Sequence, residues 1–145
     1  MSETKHRVER AIIVAAGIGK RLQPVTLTTP KPLVSVNGVR MIDTIVEALH
    51  ANGIYEIYVV VGYLKEQFHE WAKSYDGIEL IENPWYNECN NISSLYSARE
   101  HLKNAIVLDG DQFISNPEIL HPDFTRSGYS CVWTDEETPE WLLTV

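Results

Sequence analysis

Short apolar runs alternate along this chain with segments of helical periodicity, and that alternation constrains the fold more than any other feature. The runs are rich in Val and Ile, which is typical of strands that are buried on both faces of a sheet. They span 11–14, 57–61, 78–81 and 105–108. Because the links are short, the pattern predicts right-handed crossovers and a Rossmann-like, doubly wound, mostly parallel α/β sheet, with ligands at the carboxyl ends of its strands.

Three segments between these runs carry the periodicity of helices. The first spans 41–49 and is followed by Gly53, a typical helix stop, and the second spans 64–72. Asn90 or Asn91 is a good N-cap for the third. The apolar residues that this third helix is expected to turn inward are Ile92, Leu95, Tyr96 and Leu102.

The length of 145 residues fits one compact domain or a piece of a larger one. We expect a mobile polar prefix over residues 1–9 and a single domain over residues 10–145. Two final strands are predicted at 129–134 and 141–145. An apolar strand at the last residue would leave an exposed sheet edge, so we expect the domain to be incomplete at its C-terminus.

Charge and composition exclude several functions. The net charge of −8 offers no broad basic face for a nucleic acid. Neither a signal peptide nor a membrane span is recognisable, which favours a cytoplasmic protein without a membrane partner. Cys89 and Cys131 lack the spacing of a metal site, and two reduced thiols are the simpler interpretation.

The first strand ends in a glycine-rich loop, Ala15-Ala16-Gly17-Ile18-Gly19, followed by Lys20 and Arg21. Glycines let successive backbone N–H groups turn inward and hold phosphate oxygens, and an arginine adds a planar, permanently charged fork. A dinucleotide-binding fingerprint is excluded because Leu22 stands at its third glycine. A P-loop is excluded because Lys20 is followed by Arg21 rather than Ser or Thr.

The remaining pattern, G-x-G-x-R-L with Thr26 and then Pro30-Lys31-Pro32-Leu33, resembles the signature of the sugar-1-phosphate nucleotidyltransferase superfamily. The resemblance implies that the amides of the glycine loop bind phosphate and that Arg21 neutralises the β- and γ-phosphates. It also implies that Lys31 contacts the α-phosphate and the acceptor. Four other lysines are expected to be solvated surface charges: Lys20, Lys65, Lys73 and Lys103.

A second segment narrows the resemblance. Asn90-Asn91-x-x-Ser94-Leu95-Tyr96 is similar to the corresponding segment of bacterial phosphocholine cytidylyltransferases. The similarity implies that Asn90, Asn91 and Ser94 bind the nucleotide, with CTP as the substrate. The alternative is that these residues only cap a helix.

Two carboxylates follow the fourth strand, in Asp109-Gly110-Asp111. Hard oxygen ligands of this kind suit Mg²⁺, which binds through one or two carboxylates and substrate phosphates. Asp111 resembles the metal-binding aspartate of the superfamily, and Asp109 is the second candidate. A surface turn around Gly110 is the alternative.

The resemblance therefore implies an Mg²⁺-dependent enzyme that transfers CMP from CTP to a small phosphorylated alcohol, most simply phosphocholine, with release of pyrophosphate. Trp141, and next Trp133, are the candidates for binding the acceptor, and a second metal-binding acid is expected beyond residue 145. Two alternatives stay open. One is a sugar-1-phosphate nucleotidyltransferase that uses UTP or dTTP, and the other is a nucleotide-binding regulatory module without catalysis.

Overall fold

A four-stranded parallel sheet lies at the centre of the computed structural model, which describes residues 5–131. The strands are β1 (His6–Arg7), β2 (Arg10–Val14), β3 (Ser35–Val36), β4 (Val39–Arg40), β5 (Glu56–Val61), β6 (Ile78–Glu82), β7 (Ala105–Asp109) and β8 (Asp123–Phe124). The α-helices are α1 (Met41–Ala51), α2 (Glu66–Ala72) and α3 (Asn91–Ser97). Short 3-10 turns at Lys20–Leu22, Val25–Leu27 and Lys31–Leu33 occupy much of the link between β2 and β3.

The strand order of the central sheet is β6-β5-β2-β7, with all neighbours parallel. The chain adds β5 and then β6 on one side of β2, and afterwards adds β7 on the other side. The direction of winding therefore reverses between β2 and β7. In open α/β sheets, ligands bind at such a reversal, outside the carboxyl ends of the strands. The predicted doubly wound sheet is confirmed.

The two faces of the sheet are covered by different helices. On one face Ile13 and Val59 belong to a buried cluster with residues of α1 and α2, including Phe68 and Trp71. On the other face Ile12 and Val60 pack with Ala98, just after α3, and α3 itself contacts β2 and β5. Alternate residues of β2 and β5 thus serve opposite cores, which explains why these runs are apolar at every position.

The predicted inward face of α3 is wrong. Ile92 and Tyr96 are 66% and 56% exposed, and Leu102 is 41% exposed, while Leu95 is half-buried. The buried residues of this helix are instead two hydroxyl side chains, Ser93 and Ser94. These serines face inward because the side-chain amide of Asn83, a buried residue directly after β6, donates hydrogen bonds to both hydroxyls.

The structure differs from the sequence-based predictions near both ends of the chain. β1 pairs antiparallel with β8, so part of the predicted mobile prefix takes part in a small sheet, while the domain boundary at residue 10 stays a prediction. Residues 129–131 of the predicted strand 129–134 belong to no strand. The rest of that strand, and all of 141–145, lie outside the described residues. Between residues 5 and 131, no helix is long and apolar enough to cross a membrane.

Candidate active site

A cleft of about 370 Å³ opens at the carboxyl edge of the sheet, where the winding reverses between β2 and β7. It collects residues from four separate stretches of the chain: the glycine loop after β2, the turn at Lys31, the start of α3 and the end of β7. The predicted site residues that line it are Ala15, Gly17, Gly19, Arg21, Lys31, Asn91, Asp109 and Asp111. The topology therefore brings together groups that are up to about 95 residues apart in sequence.

The glycine loop is held in one conformation by contacts behind it. Gly19 has a φ of +68°, and an added Cβ would lie 3.0 Å from Thr26 Cγ2. Thr26 is buried, and its hydroxyl donates a 2.8 Å hydrogen bond to the Gly19 carbonyl oxygen. The Tyr63 hydroxyl in turn donates to the Thr26 carbonyl oxygen at 2.8 Å. The loop is thus held in place by Thr26 and Tyr63, which do not line the cleft. The sequence pattern does not signal this role of Tyr63.

Gly17 provides a test of the loop that is separable from folding. It lines the cleft, its φ lies outside the left-handed region, and an added Cβ would meet no atom within 4 Å. A methyl group there would stand in open space at the loop that we expect to bind phosphate. We expect Gly17→Ala to weaken CTP binding about tenfold while changing the free energy of unfolding by less than about 0.5 kcal/mol.

Two glycine variants serve as controls for Gly17→Ala. Gly128→Ala also places its Cβ in open space, but outside the cleft, and should change neither quantity. Gly19→Ala should destabilise the fold by about 1–2 kcal/mol, because its backbone is left-handed and Thr26 is close. Calorimetric titration with CTP and urea unfolding measure the two effects. Unchanged CTP affinity in Gly17→Ala would contradict a close approach of ligand to this loop.

Lys31 and Asp111, which both line the cleft, form an ion pair with 2.5 Å between Nζ and Oδ2. Lys31 stands between Pro30 and Pro32, whose rings fix the backbone, and buried Leu33 anchors the same turn. The two charged side chains are 33% and 37% exposed, so their pairing contributes only about 0.2–1 kcal/mol to folding. The pair is therefore a poor candidate for a purely structural bridge, and its charges remain accessible from the cleft.

The turn that carries the two carboxylates packs closely against β2. The Gly110 N–H donates a 2.8 Å hydrogen bond to the Val14 carbonyl oxygen, and an added Cβ at Gly110 would lie 3.0 Å from that oxygen. Loss of solvation raises the pKa of Asp109 above its ordinary value, Asp111 raises that pKa further, and Lys31 opposes the shift. Both carboxylates thus lie on the β7 side of the cleft, within the electrostatic reach of Lys31.

The carboxylates fit a magnesium ion that is held jointly with a nucleotide. Within residues 5–131 no group of three or more His, Cys, Asp or Glu side chains could hold a metal alone. Asp109 and Asp111 nevertheless supply hard oxygen atoms in a cleft that the glycine loop and Lys31 also line, and Mg²⁺ commonly uses one or two carboxylates together with substrate phosphates. The donor set therefore suits an Mg²⁺ ion whose remaining ligands would come from substrate phosphates.

The predicted nucleotide-binding residues at α3 divide into two groups. Asn91 lines the cleft. Asn90 is the N-cap, and its side-chain oxygen accepts a 3.2 Å hydrogen bond from the Ile92 N–H. Ser94 is buried and accepts a hydrogen bond from Asn83. Asn91 thus lines the cleft, while Asn90 caps the helix and Ser94 packs against Asn83. Nucleotide binding by these three residues stays a prediction.

Other predicted positions lie apart from the cleft or outside the described residues. Ala16 is buried, and neither it nor Ile18 lines the cleft. Lys20, which the sequence analysis assigns to the solvated surface, lines the cleft beside Arg21. Its place directly after the second glycine is the signal that could have revealed this. Trp133 and Trp141 lie outside the described residues.

Comparison with known proteins identifies the family of this fold and cleft. The model of the MobA-like NTP transferase domain matches residues 11–143. The chain belongs to this family. The match spans the glycine loop, the Lys31 turn, the start of α3 and the end of β7, so all four parts of the cleft lie within the family domain.

Similar proteins include two curated bacterial cytidylyltransferases. The 2-aminoethylphosphonate cytidylyltransferase of Lancefieldella rimae is 46% identical over 135 residues, which are 92% of this chain and 55% of the relative. The choline-phosphate cytidylyltransferase of Streptococcus pneumoniae is 43% identical over 134 residues, 92% of this chain and 58% of the relative. The solved CTP:phosphocholine cytidylyltransferase of Streptococcus pneumoniae superposes with a TM-score of 0.72 at 45% identity, covering 77% of this chain and 48% of that one. The chain spans about half the length of the relatives it matches.

Proposed function

We propose that this protein transfers CMP from CTP to a small phosphorylated alcohol, with phosphocholine as the acceptor, and releases pyrophosphate. The observation that carries the proposal is the cleft at the switch point of the sheet, which is lined by Arg21, Lys31, Asp109 and Asp111 together. Family membership and the similarity to cytidylyltransferases support it.

In the proposed reaction an anionic oxygen of the acceptor phosphate attacks the α-phosphorus of CTP. The new P–O bond forms as the bond between the α-phosphorus and the bridging oxygen breaks, and the electron pair leaves with pyrophosphate. Such transfers depend mainly on positioning and on neutralising charge. Arg21 would hold the β- and γ-phosphates, Lys31 the α-phosphate and the acceptor, and the glycine-loop N–H groups the remaining phosphate oxygens.

Asp111, together with Asp109, would hold Mg²⁺ in this proposal. The metal, when bound, neutralises charge on the phosphates of the nucleotide. Lys31 pairs with Asp111 in the structure, so the lysine proposed to contact the α-phosphate lies next to the carboxylate proposed to hold the metal.

A separate general base is not required, because the acceptor phosphate is already ionised at neutral pH. The cleft agrees with this: among the described residues that line it there is no histidine, cysteine or serine. Its charged side chains are cations suited to phosphates and carboxylates suited to a metal. The described residues of the cleft therefore offer cations and carboxylates of the kind that phosphoryl transfer uses, and they include no nucleophile–base pair of a hydrolase.

The test is pyrophosphate release by the full-length protein with CTP, UTP or dTTP, each combined with phosphocholine, 2-aminoethylphosphonate or glucose 1-phosphate. We expect turnover with CTP and phosphocholine. Turnover only with glucose 1-phosphate would replace the proposal with a sugar-1-phosphate nucleotidyltransferase. Nucleotide binding without turnover of any acceptor would favour a regulatory module.

We include 2-aminoethylphosphonate among the acceptors because the 46% identical relative is a 2-aminoethylphosphonate cytidylyltransferase. Like phosphocholine, it joins an anionic phosphorus group to a cationic nitrogen through two carbons. Turnover of CTP with this acceptor and not with phosphocholine would keep the cytidylyl transfer and change the acceptor to a phosphonate.

Trp141 is our proposed contact for a quaternary ammonium group, because cations bind well over indole rings. We expect Trp141→Ala to raise the KM for phosphocholine about tenfold and to leave the KM for CTP unchanged. Tyr55→Ala is the control, since Tyr55 is an exposed ring just before β5, at the sheet edge opposite the cleft. An unchanged phosphocholine KM would exclude Trp141 from the acceptor site.

A further inference from the structure

Asn83 is a buried amide whose side chain joins the end of β6 to the first turn of α3. It is 2% exposed and follows β6 directly, where its backbone N–H donates a 2.8 Å hydrogen bond to the Val61 carbonyl oxygen. Its Nδ2 group donates to Ser93 Oγ at 2.8 Å and to Ser94 Oγ at 3.1 Å. Its Oδ1 accepts a 2.9 Å hydrogen bond from the Trp85 N–H. A single side chain thus fixes both the turn that leaves the sheet and the helix that follows it.

The connection continues to the residue before the helix. The Ser93 hydroxyl, which accepts from Asn83, donates at 2.9 Å to the carbonyl oxygen of Asn90, the N-cap residue. Asn91 follows immediately and lines the cleft. The position of Asn91 is therefore tied to the sheet through two successive hydrogen bonds that begin at the Asn83 amide.

Polar side chains attach the first turn of the helix, in addition to the contacts of the helix with β2 and β5. α3 has seven residues, and helices this short are unstable in water without tertiary contacts. Ile92 and Tyr96 are exposed, so they offer little apolar anchoring. The buried polar side chains at its start provide the attachment, and a buried amide that loses its partners is costly.

We propose that Asn83 is a positioning residue for nucleotide recognition, which acts by holding Asn91 against the cleft. The inference rests on the proposed function, because it takes the ligand beside Asn91 to be the cytidine part of CTP. Asn83 does not line the cleft, so it would act through Asn91 rather than touch the nucleotide.

Asn83→Asp tests this with little change of shape. The aspartate keeps an oxygen for the Trp85 N–H but cannot donate to the two serine hydroxyls. Asn52→Asp is the matched control: the Asn52 amide donates 2.8 Å hydrogen bonds to Ala48 O and Pro117 O, so it also joins two elements, but outside the cleft. Calorimetry would measure affinity for CTP and for inorganic pyrophosphate below the unfolding temperature of both variants.

We expect Asn83→Asp to weaken CTP binding about tenfold, and Asn52→Asp less than about twofold, with pyrophosphate affinity kept in both. In an Asn91→Ala background, Asn83→Asp should add less than about a twofold loss, since its effect passes through the missing side chain. If Asn83→Asp does not fold, Ser93→Ala can replace it, because this variant also breaks the connection to Asn90. We expect Ser93→Ala to weaken CTP binding to a smaller extent and to keep the affinity for pyrophosphate.

The results separate failure of this inference from failure of the proposed function. If Asn91→Ala weakens CTP binding and Asn83→Asp does not, or if the two losses simply add, Asn83 does not act through Asn91. A parallel loss of pyrophosphate affinity would also overturn the inference, because it would place the damage at the phosphate loop. No binding of CTP by the wild-type protein would overturn the proposed function itself.

Discussion

Replacing Arg21 or Lys31 with alanine should lower the rate of pyrophosphate release from CTP by about a hundredfold or more, the scale of removing a positioned charge from a transferring phosphoryl group. Folding should change little. Arg21 is exposed, and the Lys31–Asp111 pair is partly exposed, so its loss should cost at most about 1 kcal/mol of stability. A coupled pyrophosphate assay on the full-length variants, with thermal unfolding alongside, measures both quantities.

Lys65→Ala is the matched control for Lys31→Ala. Its side chain is 37% exposed and pairs with Glu82 at 2.8 Å, so it resembles Lys31 in burial and in having a carboxylate partner. It does not line the cleft and should keep near-normal activity. Near-normal activity in Arg21→Ala or Lys31→Ala would show that the proposed role of that residue is wrong.

Asp111→Asn should also lower activity by about a hundredfold or more, because it removes the carboxylate proposed to hold Mg²⁺ at the phosphates. The remaining activity should need about tenfold more Mg²⁺ for half of its maximal rate. Removal of Mg²⁺ with a chelator should abolish turnover in the wild type. Rates measured over a series of Mg²⁺ concentrations report both effects.

Asp123→Asn provides the comparison for Asp111→Asn. Asp123 is also an exposed carboxylate with a basic partner, Arg7, at 3.7 Å, and it lies in β8, away from the cleft. Its loss should leave the Mg²⁺ dependence unchanged. A normal rate and a normal Mg²⁺ dependence in Asp111→Asn would rule out this residue as the metal ligand.

The central sheet could be predicted from sequence because its strands are apolar on both faces. A run such as 57–61 has to be covered on two sides, and short links to helices leave few topologies. The pairing of β1 with β8 could not be predicted, since two-residue strands separated by more than a hundred residues carry no periodic signal.

The buried face of α3 shows where periodicity misleads. The spacing of Ile92, Leu95 and Tyr96 favours an apolar inward face, but apolar periodicity takes no account of a hydrogen-bonding requirement elsewhere in the chain. Asn83 needs partners once it is buried, and Ser93 and Ser94 supply them from the opposite side of the helix. The residues exposed in exchange are Ile92 and Tyr96.

The parts of the candidate site that come directly after predicted strands could be predicted from sequence. Residue types and spacing indicate the glycine loop and the two aspartates, and the resemblance to a family signature indicates Lys31. The topology then places these residues around one cleft. The roles of Tyr63 and Asn83 could not be predicted, because each depends on a hydrogen bond to another element of the fold that residue types and spacing do not signal. The acceptor-binding roles of Trp133 and Trp141 remain predictions, since both lie outside the described residues.

Calorimetric titration of CTP into the protein, in the presence of Mg²⁺, tests most directly whether this cleft is a cytidine nucleotide site. We expect one CTP to bind per chain, with weaker binding of UTP and dTTP and at least about a tenfold loss of CTP affinity in Arg21→Ala. Absence of CTP binding, or an affinity that Arg21→Ala leaves unchanged, would contradict the assignment of the cleft.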